Sequence, residues 1–297
     1  MLRIRLFGPT TLEVDGQPVA LTGLSTKARQ VLEILALQAG APMPKERLAD
    51  LLWEGRPPAS LIASLESYVC VLRRTLALGS GRDSVLGTSS QGYMLDLSRC
   101  SVDVLDLRRA CAGAAGASAV EVVRSADHAV RLVQGGLLPN ESYASWAVNA
   151  RVQVGSDMVR LLTRGAQLAN ALGDAESAAR FSRAAISYDG LSEQAWQQLM
   201  RALWFSGQRC EALRAYADLR AATIDGLGEE PGQESRDLYL AILRQGPGPA
   251  SSGDERTELK ILLSLLRQAL DGVPGVTAPP LDADLATAAV RVLQLVA

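Results

Sequence analysis

The chain has 297 residues, a formal net charge of −2, 48% hydrophobic and 21% charged side chains, and only 4% aromatics. This length allows two domains that each bury a core, and abundant Leu and Ala favour packed helices over β-sandwiches. No apolar run approaches 18 residues, and the start Met1-Leu2-Arg3-Ile4-Arg5-Leu6 is broken by charge, so neither a signal peptide nor a membrane span is expected and the protein reads as cytoplasmic.

Residues 2–7 alternate and end at the turn Gly8-Pro9. Thr11–Val14 and Pro18–Leu21 flank Asp15-Gly16, a strong hairpin signal, which predicts a small antiparallel sheet. Ser25 or Thr26 can cap a helix over Lys27–Ala39, with Ala28, Val31, Leu32, Leu35 and Ala39 at helical spacing and Gly40 ending it. Pro44 opens a second helix, Lys45–Trp53, with Leu48, Leu51 and Leu52 inward; Trp53 reads as packing. The prolines of the Glu54–Ala59 loop stop it. Ser60 then caps a third helix to about Leu78, with one buried stripe: Ile62, Leu65, Val69, Leu72 and Leu76. After Gly79-Ser80-Gly81, strands over 84–88 and 93–96 bracket Ser89–Gly92 as a β-hairpin. Three strands, three helices and a hairpin are the order of a response-regulator (OmpR-type) winged helix, in which the last helix enters the DNA major groove.

From Asp103 onward the pattern is helical, with an internal repeat. Trp196, Leu199, Leu203, Ala212 and Tyr216 occupy tetratricopeptide spacing. Thirty-five residues earlier, Leu161, Gly165, Leu168, Ser177 and Phe181 fill related positions. Residues 104–133 read as one more, degenerate pair. The Trp196/Trp204 pair is either core or the lining of a ligand groove, with core the better reading. Gly246–Gly253 is a linker. Beyond it, Thr257–Leu270 carries Leu259, Leu262, Leu263 and Leu266 at helical spacing, and a last helix follows at about Leu285–Val296. These helices pack on the main body or cross to a second subunit. The expected division is therefore residues 1–97, 98–245 and 246–297, mainly α with a small β part.

Chemistry is sparse. Cys70, Cys100, Cys111 and Cys210 are scattered and His128 is the lone histidine, which argues against a zinc site, a disulfide framework and a Cys-His or Ser-His catalyst. His128 sits in a plain helical stretch and reads as structural or surface. No phosphate-binding glycine loop or HExxH occurs, and Glu229-Glu230 reads as a solvated turn. No enzyme and no cofactor is expected.

Several segments resemble the Streptomyces antibiotic regulatory protein family: Leu6–Pro9, Arg47–Trp53, Tyr68-Val69 with Leu72–Arg74, and Gly92–Leu95. Ser206–Tyr216 and Leu227–Gly232 are similar to that family's bacterial transcriptional activator domain. The resemblance covers residues 1–245 and implies an activator of a biosynthetic gene cluster. Such a protein binds tandem repeats in double-stranded DNA as a side-by-side homodimer, and contacts RNA polymerase holoenzyme through the loop holding Glu54, Arg56 and Pro57.

The DNA-facing candidates are Ser64, Ser67, Tyr68, Val71, Arg73 and Arg74 on the third helix, with Lys27, Arg47 and Ser89 nearby. Residues 1–96 carry a net charge of only +1, whereas DNA affinity draws on phosphate neutralisation. The outward positions Ser60, Ala63, Ser64, Ser67, Cys70 and Val71 offer no bidentate hydrogen bond to guanine, Glu66 occupies a flank that should face phosphates, and the wing tip has no arginine. Arg73 and Arg74 also suit a helix C-terminus on dipole grounds alone. Two readings stay open: a DNA-binding activator with few phosphate contacts, or a winged helix that has become a protein- or peptide-interaction module.

Overall fold

The computed structural model describes residues 1–56, 58–76, 84–114 and 116–244. Pro57, the Gly79–Gly81 turn and the segments at 257–270 and 285–296 lie outside the described residues.

The N-terminal unit begins with β1 (Leu2–Arg5), β2 (Thr11–Val14) and β3 (Gln17–Val19), all antiparallel. Leu2 and Ile4 point to the core while Arg3 and Arg5 face out, as strand alternation dictates. Asp15 and Gly16 both take positive φ (50° and 80°), the two-residue turn whose twist matches the strands. Then come α1 (Thr26–Leu37), α2 (Lys45–Trp53) and α3 (Leu61–Thr75). Ser25 caps α1 by accepting the N–H of Ala28. Ser60 precedes α3, but its side chain makes no capping bond. Ile62, expected in the core stripe, is 36% exposed. Residues 61 and 62 sit on opposite shoulders of the Leu65–Val69–Leu72–Leu76 stripe, and Leu61 takes the core side. β4 (Leu86–Ser89) and β5 (Gly92–Leu95) form the hairpin wing.

A sixth strand, β6 (Cys100–Val102), runs parallel to β1 and completes the sheet order β3-β2-β1-β6. The sequence reading did not anticipate it. Among the described residues seven α-helices follow: α4 (Asp103–Gly113), α5 (Ala119–Leu132), α6 (Ser145–Ala171), α7 (Ala175–Tyr188), α8 (Glu193–Phe205), α9 (Arg209–Leu227) and α10 (Gln233–Arg244). α4/α5, α6/α7 and α8/α9 stack as successive pairs, which agrees with the expected repeat. Its small residue works by close approach: a Cβ on Gly165 would sit 2.6 Å from Ala126 Cβ and 3.4 Å from the fully buried Phe181 ring. Trp204 is buried, and Trp196 donates its indole N–H to Gly190 O (2.8 Å). Both are packing residues.

The two units share one continuous core. Asp103, at the start of α4, accepts the backbone N–H groups of Leu6 (2.8 Å) and Phe7 (3.0 Å) at the end of β1. Burial raises its carboxyl pKa, with those N–H bonds pulling the other way. Around residues 137–142, Leu138 N–H donates to Leu6 O and Gly8 N–H to Gly136 O. Glu141 accepts from Arg29 (3.2 Å) and Gln30 (2.7 Å) of α1. Arg151 on α6 binds the carbonyl oxygens of Leu137, Leu138, Glu141 and Ser142, fixing that turn.

Candidate nucleic-acid interface

The candidate surface is the outer side of α3 and the wing beside it. α3 exposes Ala63, Glu66, Ser67, Cys70 and Arg74, while Ser64, Tyr68, Val71 and Arg73 are half-buried. Leu65, Val69 and Leu72 anchor the opposite side. Tyr68 leans on Trp53, with ring centroids 6.4 Å apart, so both help to seat α3 on α2.

Arg73 ties α3 to the wing. Its guanidinium donates from Nε (3.0 Å) and Nη2 (2.6 Å) to Leu86 O, and from Nη2 to Thr88 Oγ1 (2.8 Å). A planar fork suits such a two-point grip where a lysine would not. The wing is also fixed from behind. Met43 and Tyr93 exchange reciprocal backbone bonds of 2.8 and 3.0 Å, and Gly92, at φ +124°, packs so close that a Cβ would lie 1.8 Å from Met43 O. Only glycine fits there. At the tip, Ser89 Oγ accepts the N–H of Gln91 and donates to Gly92 O, so its hydroxyl shapes the turn.

Lys45, at the start of α2, donates to Glu66 of α3 (2.7 Å) and lies 5.5 Å from the centre of the Tyr93 ring. The Glu66 hydrogen bond raises the Lys45 pKa, and burial raises that of the Tyr93 phenol. From sequence alone Glu66 is a negative charge on a flank that should face phosphates; its partner Lys45 lies 21 residues away and carries no local signal. Between α3 and wing is a cleft of about 500 Å³ lined by Lys45, Glu66, Cys70, Arg73, Arg74 and Tyr93 among others.

The remaining candidates divide. Arg47 and Arg56 are exposed. Lys27 is half-buried and donates to Leu52 O (2.5 Å) at the end of α2, away from the α3–wing cleft. Glu54, in the left-handed conformation at φ 50°, accepts the N–H of Ser145 at the start of α6 (3.1 Å). That carboxylate therefore holds the helical unit. Among the described residues no cluster of His, Cys, Asp and Glu could hold a metal, and no helix is long and apolar enough to cross a membrane.

A three-helix unit presenting an open helix beside a rigid hairpin wing, fused to stacked helix pairs, defines a winged-helix transcriptional regulator. Residues 16–95 match the family described as transcriptional regulatory protein, C terminal, and residues 95–243 match the bacterial transcriptional activator domain. The chain is 32% identical over 277 residues to the regulatory protein DnrI of Streptomyces peucetius, covering 86% of this chain and 96% of that one. It is 30% identical over 258 residues to the transcriptional regulatory protein EmbR of Mycobacterium tuberculosis, covering 85% of this chain and 66% of EmbR. The solved structure of M. tuberculosis EmbR in complex with a low-affinity phosphopeptide aligns with a TM-score of 0.67 at 28% identity, covering 90% of this chain and 71% of that one. The chain belongs to the Streptomyces antibiotic regulatory protein family.

Proposed function

We propose that the protein binds specific double-stranded DNA through α3 and the wing, and activates transcription of a biosynthetic gene cluster. The observation that carries this reading is the rigid seating of α3 against the wing by Arg73, which leaves Ser67, Cys70 and Arg74 exposed on the helix that a winged helix inserts into the major groove. Small side chains there suit apolar and single hydrogen-bond contacts to base edges, with Arg74 and Arg47 placed for phosphates. Arg73 then acts by positioning the wing. Residues 1–97 read the DNA, 98–245 carry the activator unit, and 246–297 follow as a third segment. Two copies side by side on tandem repeats would bring the exposed part of the Glu54–Ala59 loop, including Arg56, toward RNA polymerase holoenzyme.

The test separates the two arginines. Arg74→Ala should weaken binding across sequences and lower the salt slope by about one phosphate contact. Arg73→Ala should loosen the wing and reduce the preference for the specific duplex. Unchanged DNA binding in the Arg73→Ala/Arg74→Ala double variant would show that the groove face is misassigned.

One observation favours a second reading. Lys45 is paired with Glu66 and Arg73 is held by the wing, so the face has little uncommitted positive charge. The family relative EmbR has been solved with a phosphopeptide, and a winged helix that captures a peptide along its hairpin edge fits such a face. Peptide binding without any DNA binding would establish that alternative.

A further inference from the structure

The helical unit is a stack of pairs, and its last helix has no pairing helix among the described residues. α7 packs on its own partner α6 and also on α5 of the preceding pair. α10 packs on α8 and α9 as the first helix of a further pair would. It lies antiparallel to α9: Arg209, at the start of α9, donates to Ile242 O and Leu243 O at the end of α10, and Arg220 pairs with Glu230 just before α10 begins. Midway, the Tyr216 and Tyr239 rings stack at 4.2 Å.

On the outer side of that contact runs a lane of apolar and small side chains. On α9, Leu213, Ala217 and Ile224 fall on one helical face; Leu213 is half-buried, Ala217 is exposed and Ile224 is 41% exposed. On α10, Leu240 and Leu243 are 39% and 40% exposed on the turn facing the same lane. A helix in this lane would contact α9 and α10 as α7 contacts α5 and α6.

Residues 245–297 follow α10 in the chain. Within them Leu259, Leu262, Leu263, Leu266 and Leu270 recur at the spacing of one helical face. Asp254, Glu255 and Glu258 lie at the start of that stretch together with Arg256 and Lys260, and Arg267 near its end is followed by Asp271. Laid antiparallel to α10, as the second helix of a pair, its start, which carries one net negative charge, meets the end carrying the exposed Arg214 and Arg244. Arg267 then meets the end carrying the exposed Asp225 and Glu229. The twelve residues 245–256 span up to about 40 Å, ample for the reversal.

We propose that residues 257–270 of this same chain dock in the α9–α10 lane and close the stack, the capping that a helical-repeat array requires at its end. The test uses the full chain with a photo-crosslinking phenylalanine analogue in place of Leu243. Crosslinks to 257–270 within one chain are expected. Crosslinks between two chains, meaning that a second copy occupies the lane, or crosslinks that miss this segment, overturn the proposal. In parallel, Leu262→Asp/Leu266→Asp should speed amide exchange in α10 at least tenfold while leaving α1–α3 unchanged. Exchange in α10 equal to that of the parent chain refutes the docking.

Discussion

Replacing Glu66 by Gln tests how the charge on the reading face is set. Its carboxylate holds Lys45 Nζ at 2.7 Å, with Lys45 29% and Glu66 54% exposed at the side chain. A pair this exposed contributes no more than about 1 kcal/mol to folding, so the variant should keep its melting behaviour. DNA binding should change more. The substitution removes a negative charge from the flank of α3 and leaves Lys45 with a neutral amide, able to meet a phosphate. One additional phosphate contact steepens the dependence of log Kobs on log salt by about 0.9. Between two salt concentrations fourfold apart, the variant should lose about 3.5-fold more affinity than the parent. At the lower salt it should bind more tightly, to specific and scrambled duplexes alike. Fluorescence anisotropy titrations of both proteins against both duplexes give the two slopes. Equal slopes and equal affinities would mean that Lys45 and Glu66 do not face the phosphates, and the docking of α3 would have to be redrawn.

Other consequences follow from single residues. Gly92→Ala places a Cβ against Met43 O in a backbone conformation that disfavours side chains; a loss of about 2 kcal/mol or more is expected by denaturant unfolding, and a change under about 0.5 kcal/mol would contradict the close approach. Arg151→Ala removes the donors for four carbonyls of the 137–142 turn; a loss of about 2–3 kcal/mol and faster proteolysis at that turn should appear, and an unchanged cleavage rate would count against the clamp. Glu33, 1% exposed, accepts from Thr10 (2.6 Å) and lies 3.4 Å from Arg29, which also holds Glu141. Burial pushes its pKa from 4.5 to about 7. The folded state therefore keeps a proton that the unfolded chain has released. Its contribution is fully present below pH 4.5 and is lost as pH rises through about 7, a fall of about 3 kcal/mol at most. Glu33→Gln should flatten stability over that window, and a parent protein whose stability is level from pH 4.5 to 7 would refute the assignment.

The parts legible from sequence were those set by local spacing. α2 runs over Lys45–Trp53 as the pattern and Pro44 imply, Ser25 caps α1, and Gly165 with Phe181 marks the close-packed repeat. β6 was missed because it has three residues and pairs with a strand almost 100 positions earlier, so neither alternation nor turn chemistry announces it. The site was legible as an element but not as a charge pattern. Composition shows that Lys27, Lys45, Arg73 and Glu54 exist; it does not show that Lys27 holds Leu52 O, that Lys45 pairs with Glu66, that Arg73 grips the wing or that Glu54 binds the start of α6. Each partner is distant along the chain or belongs to the other unit. The pairing of Lys45 with Glu66 and the hold of Arg73 on the wing are why the reading face is less basic than a count of its residues suggests.

The most direct measurement is a titration of the full chain against duplex DNA from its own gene neighbourhood, beside a scrambled duplex, at two salt concentrations. Tight binding to the native duplex that weakens with salt and is lost on scrambling is the expected result. Absence of binding to either duplex at low salt, with the protein folded, would contradict the DNA-binding assignment and leave the winged helix as a peptide-interaction module.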